Sequence, residues 1–269
     1  MRYELLGSLR MVDGDDVRSI SAPKIESVLA VLVIRADQVV GFDRIVAEIW
    51  QDNPPRRAAA AVHVYVSQLR KVLQRPGRRD GPLITRAPGY LLQAGTDTID
   101  YYEFLRLAED GRQHAADGRD EQASRCFEEA LKLWRGPALE NLRTGAIVDS
   151  FVTWICELRL ECQEMLADAQ LNLGRHREMV GRLRTLVAEN PFREVFYRQL
   201  MLALYRSERQ AEALQVYQTA RKLLQEELGL EPCRALRELQ QDILADNGHL
   251  DLPPGLRVPG VRDRVRLTA

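Results

Sequence analysis

Between positions 56 and 86 the chain carries Arg56, Arg57, Arg70, Lys71, Arg75, Arg78, Arg79 and Arg86 against Asp80 alone. Cations at this density capture polyanions, because each one that meets a fixed negative charge releases condensed counterions. The chain as a whole has 38 Lys+Arg, 39 Asp+Glu and a formal net charge of -1, so any such attraction is local. Residues 1–98 hold 14 cations and 11 acids, and the remaining residues hold 24 and 28, which confines the basic surface to the N-terminal part. The other reading of these arginines is a solvated face with no partner, and the surrounding pattern has to decide between the two. Other reactive residue types lack the spacing for chemistry. His63, His114, His176 and His249 show no metal-ligand interval and no serine elbow accompanies them, so neither catalysis nor a metal or cofactor is expected. Cys126, Cys156, Cys162 and Cys233 stand singly and read as small core or boundary residues of a reducing compartment.

The elements that must position the basic residues follow from periodicity. YELLG, SLRMV and VRSI are short alternating stretches broken by Gly7 and by Asp13-Gly14-Asp15-Asp16, and they predict a small antiparallel sheet. From Ala22 the period lengthens: Pro23 suits a first helical turn, and Ile25, Val28, Leu29, Leu32 and Val33 extend a helix to about Ala36. A second helix is predicted over Phe42 to Trp50 with Ile45, Val46, Ile49 and Trp50 inward, ended by Pro54-Pro55. VHVYV from Val62 alternates as a strand would, but the four alanines before it and the spacing of Val62, Val66, Leu69 and Leu73 predict one continuous helix. That stripe turns His63, Ser67, Gln68, Arg70 and Lys71 outward, with Arg56 and Arg57 at the helix start. Such a helix is a plausible occupant of a DNA major groove. Beyond the turn-rich PGRRDGP, the stretch LITRAPGYLL predicts a two-stranded ribbon anchored by Ile84, Tyr90 and Leu91. Gly89 would permit the return, with Thr85, Arg86 and Ala87 near the tip and Arg86 reaching DNA. Sheet, three helices and terminal hairpin together make a winged helix-turn-helix.

From Asp100 the chain reads as helix almost throughout, beginning with Tyr102, Phe104, Leu105 and Leu107. Three segments starting at residues 117, 173 and 207 resemble one another. Aligning Gly118, Gly174 and Glu208 brings Ala123, Met179 and Ala213 into register, then Phe127, Leu183 and Tyr217, then Ala130, Leu186 and Ala220. The last two copies are 34 residues apart, the period of a tetratricopeptide helix pair, and the wider first gap implies an insertion holding WRGPALENL and a long helix from Ile147 to Leu173. Stacked pairs predict a helical solenoid whose concave face either binds a protein or peptide or packs against the first domain. Trp134, Trp154 and Tyr205 sit inside apolar periodicity and are expected in the core. The expected domains are residues 1–95, the winged helix-turn-helix, and 99–250, the helical domain, with 251–269 a flexible basic tail.

The first domain resembles the OmpR/PhoB type of DNA-binding domain, through Val62-His63-Val64-Tyr65-Val66-Ser67-Gln68-Leu69-Arg70-Lys71-Val72-Leu73 and the wing Thr85-Arg86-Ala87-Pro88-Gly89-Tyr90. The resemblance puts Val64, Tyr65 and Gln68 in the groove with His63 close by, and makes Arg70 a backbone contact. Tyr65 and Gln68 stand where that type has histidine and arginine, so base preference should differ. The whole order is similar to the Streptomyces antibiotic regulatory protein family, an OmpR-like winged helix followed by a tetratricopeptide-type bacterial transcriptional activation domain. Leu133-Trp134-Arg135-Gly136-Pro137-Ala138-Leu139 and Glu227-Leu228-Gly229-Leu230-Glu231-Pro232 carry the second half of that likeness. It implies an activator of an antibiotic biosynthetic gene cluster, bound as side-by-side protomers to direct repeats near the -35 promoter region and contacting RNA polymerase holoenzyme with its principal sigma factor. The sequence contains no GxxxxGK[ST] loop, and no receiver domain is expected before the winged helix. With no signal peptide or apolar span either, a cytoplasmic protein without membrane contact is expected.

Overall fold

The computed structural model describes residues 1–74, 81–142, 145–245 and 250. Arg75, Arg78, Arg79 and Asp80 of the basic window, His249 and the tail 251–269 lie outside the described residues. Contacts divide the chain into two compact units: Met1–Glu109 with Glu129–Glu161, and Asp110–Glu128 with the residues from Cys162 onward.

The first unit opens with β1 (Arg2–Glu4), β2 (Arg10–Asp13) and β3 (Asp16–Arg18), an antiparallel meander as predicted, and β7 (Thr98–Ile99) adds a parallel edge beside β1 that the sequence reading did not foresee. Between them come α1 (Pro23–Ile34), β4 (Val40–Gly41), α2 (Phe42–Trp50), α3 (Ala58–Val72), β5 (Leu83–Arg86) and β6 (Gly89–Leu92). Helix α1 is the centre of the core: Val28, Leu29, Leu32 and Val33 are fully buried, and both α2 and α3 pack on it. VHVYV is helical, not extended, because Val62, Val66, Leu69 and Leu73 bury one continuous face. Turning them outward would forfeit about 1.5–3 kcal/mol per side chain.

Two expectations are corrected in the wing. It is a three-stranded sheet in the order β4-β6-β5, not a two-stranded ribbon, and the return is made at Ala87-Pro88. Gly89 serves close approach: a Cβ there would lie 1.9 Å from the Val40 carbonyl oxygen, so only glycine lets β6 pair with β4. Leu83 and Leu92 anchor the sheet beside Tyr90 and Leu91, while Ile84 is 39% exposed. In α2 the inward residues are Ile45 and Glu48, with Val46, Ile49 and Trp50 half-buried.

Glu48 is only 2% exposed, and its carboxylate explains why an acid is buried there. It accepts the backbone N–H groups of Ile147 and Val148, each at 2.8 Å, at the start of α6 (Ala146–Asn172). An acid at a helix N-terminus satisfies orphan donors and meets the positive end of the helix dipole. Asp100, which opens α4 (Asp100–Ala116), likewise accepts from the Leu5 and Leu6 amides at 2.8–2.9 Å. The WRGPAL segment completes the clasp: the Arg135 amide donates to the Leu6 carbonyl, the Leu139 amide to Gly7, and the Arg135 guanidinium to Ser8. Trp134 is buried, edge-on to Phe104 and beneath the Arg159 guanidinium. The N-terminal sheet is thus packed against the start of the helical region inside one compact unit.

The described helices continue with α5 (Asp120–Lys132), α7 (His176–Glu189), α8 (Glu194–Arg206), α9 (Gln210–Leu228) and α10 (Arg234–Leu244). In the second unit α7 packs on α8, α8 on α9, and α10 on both α8 and α9. The repeat register is physical: every aligned residue from Ala123, Met179 and Ala213 through Ala130, Leu186 and Ala220 is at most 7% exposed. Gly118, Gly174 and Glu208 also share a left-handed backbone, with φ of 71°, 77° and 62°. At Glu208 that conformation carries a Cβ penalty the glycines avoid. Two core expectations are corrected: Trp154 is 44% exposed and Cys233 is exposed. At the head of α4 Tyr101 is buried while Tyr102 is 49% exposed.

Candidate nucleic-acid interface

The outward face of α3 is built by subtraction. With Val62, Val66 and Leu69 turned to α1 and the sheet, helical geometry sends Ala60, Val64, Ser67, Gln68 and Lys71 to the surface, and all are exposed. No acid lies in the first turn, and Arg70 and Lys71 in the last turn favour the negative end of the helix dipole. Arg18 of β3 donates to the Val72 carbonyl at 3.3 Å and satisfies part of the C-terminus. Arg56 and Arg57 are exposed just before the helix begins.

Four of the predicted contact residues are also engaged by neighbouring elements, although His63, Arg70 and Thr85 are exposed. The His63 Nδ1 is paired with the Tyr90 hydroxyl at 2.7 Å, and its ring lies 5.7 Å from Phe42, so it ties α3 to the wing and to α2. Tyr65 is half-buried and stacks on Trp50 at a centroid distance of 6.2 Å, while the Lys24 ammonium sits 5.2 Å from the other aromatic ring of that pair. Arg70 donates from Nε to the Leu83 carbonyl at 3.1 Å and from Nη2 to the Thr85 hydroxyl at 2.6 Å, a fork that fixes the wing against the helix. Thr85 and Arg86 are exposed on β5. The predicted residues therefore fall into two groups. Val64, Gln68, Ser67, Lys71, Arg56, Arg57 and Arg86 are exposed, and the exposed His63, Arg70 and Thr85 with the half-buried Tyr65 tie α3 to the wing and to α2. Sequence reading missed Tyr90 and Trp50 as partners in those ties. Their signal was aromatic character at the ends of apolar runs, which does not name a partner.

A groove of about 1000 Å³ runs between α3 and the wing, lined by Ser67, Arg70, Lys71, Gln74, Ile84 and Thr85 among others. Leu83, Ala94 and Asp97 also line it, and the Arg70 and Lys71 side with the exposed helix beside it can hold a phosphodiester backbone while α3 meets base edges. Among the described residues no cluster of three or more His, Cys, Asp or Glu is placed to hold a metal ion, and no helix is long and apolar enough to cross a membrane.

A winged helix with an open, acid-free helix face, followed by a helical array of tetratricopeptide type, defines a DNA-binding transcriptional regulator of the OmpR class. Residues 21–92 match the family described as transcriptional regulatory protein, C terminal, and residues 99–244 match the bacterial transcriptional activator domain. The chain belongs to the family of bacterial regulators that join these two domains, related to EmbR, MoaR1, AfsR and DnrI. It is 38% identical to the transcriptional regulatory protein EmbR of Mycobacterium tuberculosis over 244 residues, which is 90% of this chain and 63% of that protein. The chain thus spans a little under two thirds of EmbR. Regulatory protein DnrI of Streptomyces peucetius is 36% identical over 256 residues, covering 92% of this chain and 94% of DnrI. Mycobacterium tuberculosis EmbR, solved in complex with a low affinity phosphopeptide, superposes with a TM-score of 0.85 at 34% identity, over 99% of this chain and 68% of that one.

Proposed function

We propose that this regulator activates transcription of a secondary-metabolite biosynthetic gene cluster. Protomers bind side by side on direct repeats near the -35 promoter region and recruit RNA polymerase holoenzyme with its principal sigma factor. In this reading Val64 and Gln68 meet base edges. Arg56, Arg57, Ser67, Lys71 and Arg86 meet phosphates, and His63, Tyr65, Arg70 and Thr85 hold helix and wing in register for that contact. The observation that carries the DNA half is the outward face of α3, where exposed neutral side chains are flanked by cations and the wing is pinned alongside. The likeness to DnrI over nearly the full length of both chains, with the resemblance to Streptomyces antibiotic regulators, supports the activator half.

The test is a footprint on the promoters of the neighbouring gene cluster, followed by run-off transcription with purified holoenzyme. The expected result is protection of repeated sites abutting the -35 element and a rise in transcript on addition of the protein. Protection with no added transcript would mark a repressor or scaffold and contradict the activator reading.

A further inference from the structure

We propose that α3 reads a thymine and an adenine about two base pairs apart in the major groove, and that neither position is a guanine. The proposal rests on α3 being the DNA-reading helix and names the bases it takes. Ala60, Val64 and Gln68 follow one another at four-residue spacing on the exposed face, and Val64 is 52% exposed although apolar. The apolar feature of the major groove is the thymine C5 methyl, which an alanine or valine side chain can cover and a water molecule cannot satisfy. The Gln68 side chain is exposed, and its amide offers one donor and one acceptor side by side, the complement of adenine N7 and N6.

The commonest guanine readers are arginine and lysine. Helix α3 offers no arginine with both fork nitrogens free on this face, and Lys71, in the last turn, lies three residues beyond Gln68 and addresses neither position. Arg70 has given Nε and Nη2 to Leu83 and Thr85, Arg56 and Arg57 precede the helix, and Arg86 stands on the wing. His63 and Tyr65 are engaged by Tyr90 and Trp50. Four residues of helix advance about 6 Å. Base pairs rise about 3.4 Å, so Val64 and Gln68 address positions roughly two steps apart.

In vitro selection from a random duplex library, using the full chain as wild type, Val64→Ser and Gln68→Arg, tests this. The wild-type pool should converge on an adenine with a thymine within two steps, and Gln68→Arg should convert that adenine to guanine while the rest of the site is kept. Replacing the selected thymine by deoxyuridine removes only the methyl group, and should weaken wild-type binding about fivefold and Val64→Ser binding not at all. Salt-dependent binding to random duplex reports that each variant is folded. If Gln68→Arg lacks it, Gln68→Glu takes its place, with cytosine as the expected base. A G·C pair at either position in the wild-type pool, or an equal deoxyuridine penalty with and without Val64, would overturn the base assignment. A wild-type pool with no convergence at all would overturn sequence reading by α3 itself, and the base assignment with it.

Discussion

Arg70 is a residue whose loss would be felt in the fold and on DNA at once. The resemblance to OmpR-type domains made it a backbone contact, whereas its guanidinium here is committed to the Leu83 carbonyl and the Thr85 hydroxyl. Arg70→Ala and Thr85→Val should therefore be non-additive in stability, with a coupling of about 0.5–1.5 kcal/mol in a double-mutant cycle read by urea denaturation. Strict additivity would show that the fork does not form in solution. A second residue-scale consequence concerns His176, 7% exposed, whose Nδ1 is buried without a hydrogen-bond partner among the described residues. Burial, and then the charges of Arg206 and Arg177, hold its pKa below the ordinary imidazole range. The unfolded chain then takes up a proton near pH 6.5 that the folded chain refuses. The stability tied to this group is present above that pH and is lost as pH falls through the lowered value. The urea midpoint should drop between pH 7.5 and pH 5.5, and the drop should shrink in His176→Leu. An undiminished drop in that variant would assign the acid sensitivity to other groups.

At the scale of elements, periodicity was enough wherever one face is buried. Val62, Val66, Leu69 and Leu73 specify α3 because burial along a helix imprints its own period on the sequence, and the aligned small and large residues of the three repeats follow the same rule. Periodicity could not reveal partners that are polar and remote. Glu48 reads as an ordinary charge on α2, yet its carboxylate caps α6 from 100 residues away, and Asp100 does the same for the Leu5 and Leu6 amides. Nothing in a local window distinguishes such an acid from a solvated one. Removing it strands two buried backbone donors, so Glu48→Ala should cost about 2–4 kcal/mol by chemical denaturation. A loss below about 0.5 kcal/mol, the range of ordinary surface substitutions, would contradict the capping role. Gly145 should be intolerant as well, since a Cβ there would lie 2.6 Å from the Glu48 backbone carbonyl oxygen as well as against its carboxylate.

For the molecule as a whole, the family boundaries and the compact units divide the chain differently. The activation-domain match begins at residue 99, while the unit holding α3 runs through Glu109 and regains Glu129–Glu161. The WRGPAL segment, which the sequence offered only as a family signature, is where the N-terminal sheet is clasped by backbone hydrogen bonds from Arg135 and Leu139. The exposed face of α3 could be anticipated for most of its residues because exposure is the complement of a readable core stripe, and Tyr65 is the exception. Which of those residues are engaged by the rest of the domain could not, since it depends on Tyr90, Trp50 and Leu83 arriving from elsewhere in the chain. In the function proposed above, this face reads DNA through neutral side chains and holds it through cations. The most direct test of that function is the salt dependence of affinity for a footprinted promoter duplex and for random duplex, in Gln68→Ala and Lys71→Ala. Gln68→Ala should lose about 1–3 kcal/mol on the promoter duplex alone, and Lys71→Ala should weaken both duplexes alike and lower the salt slope by about 0.9. Equal loss on both duplexes for Gln68→Ala, or an unchanged slope for Lys71→Ala, would contradict it.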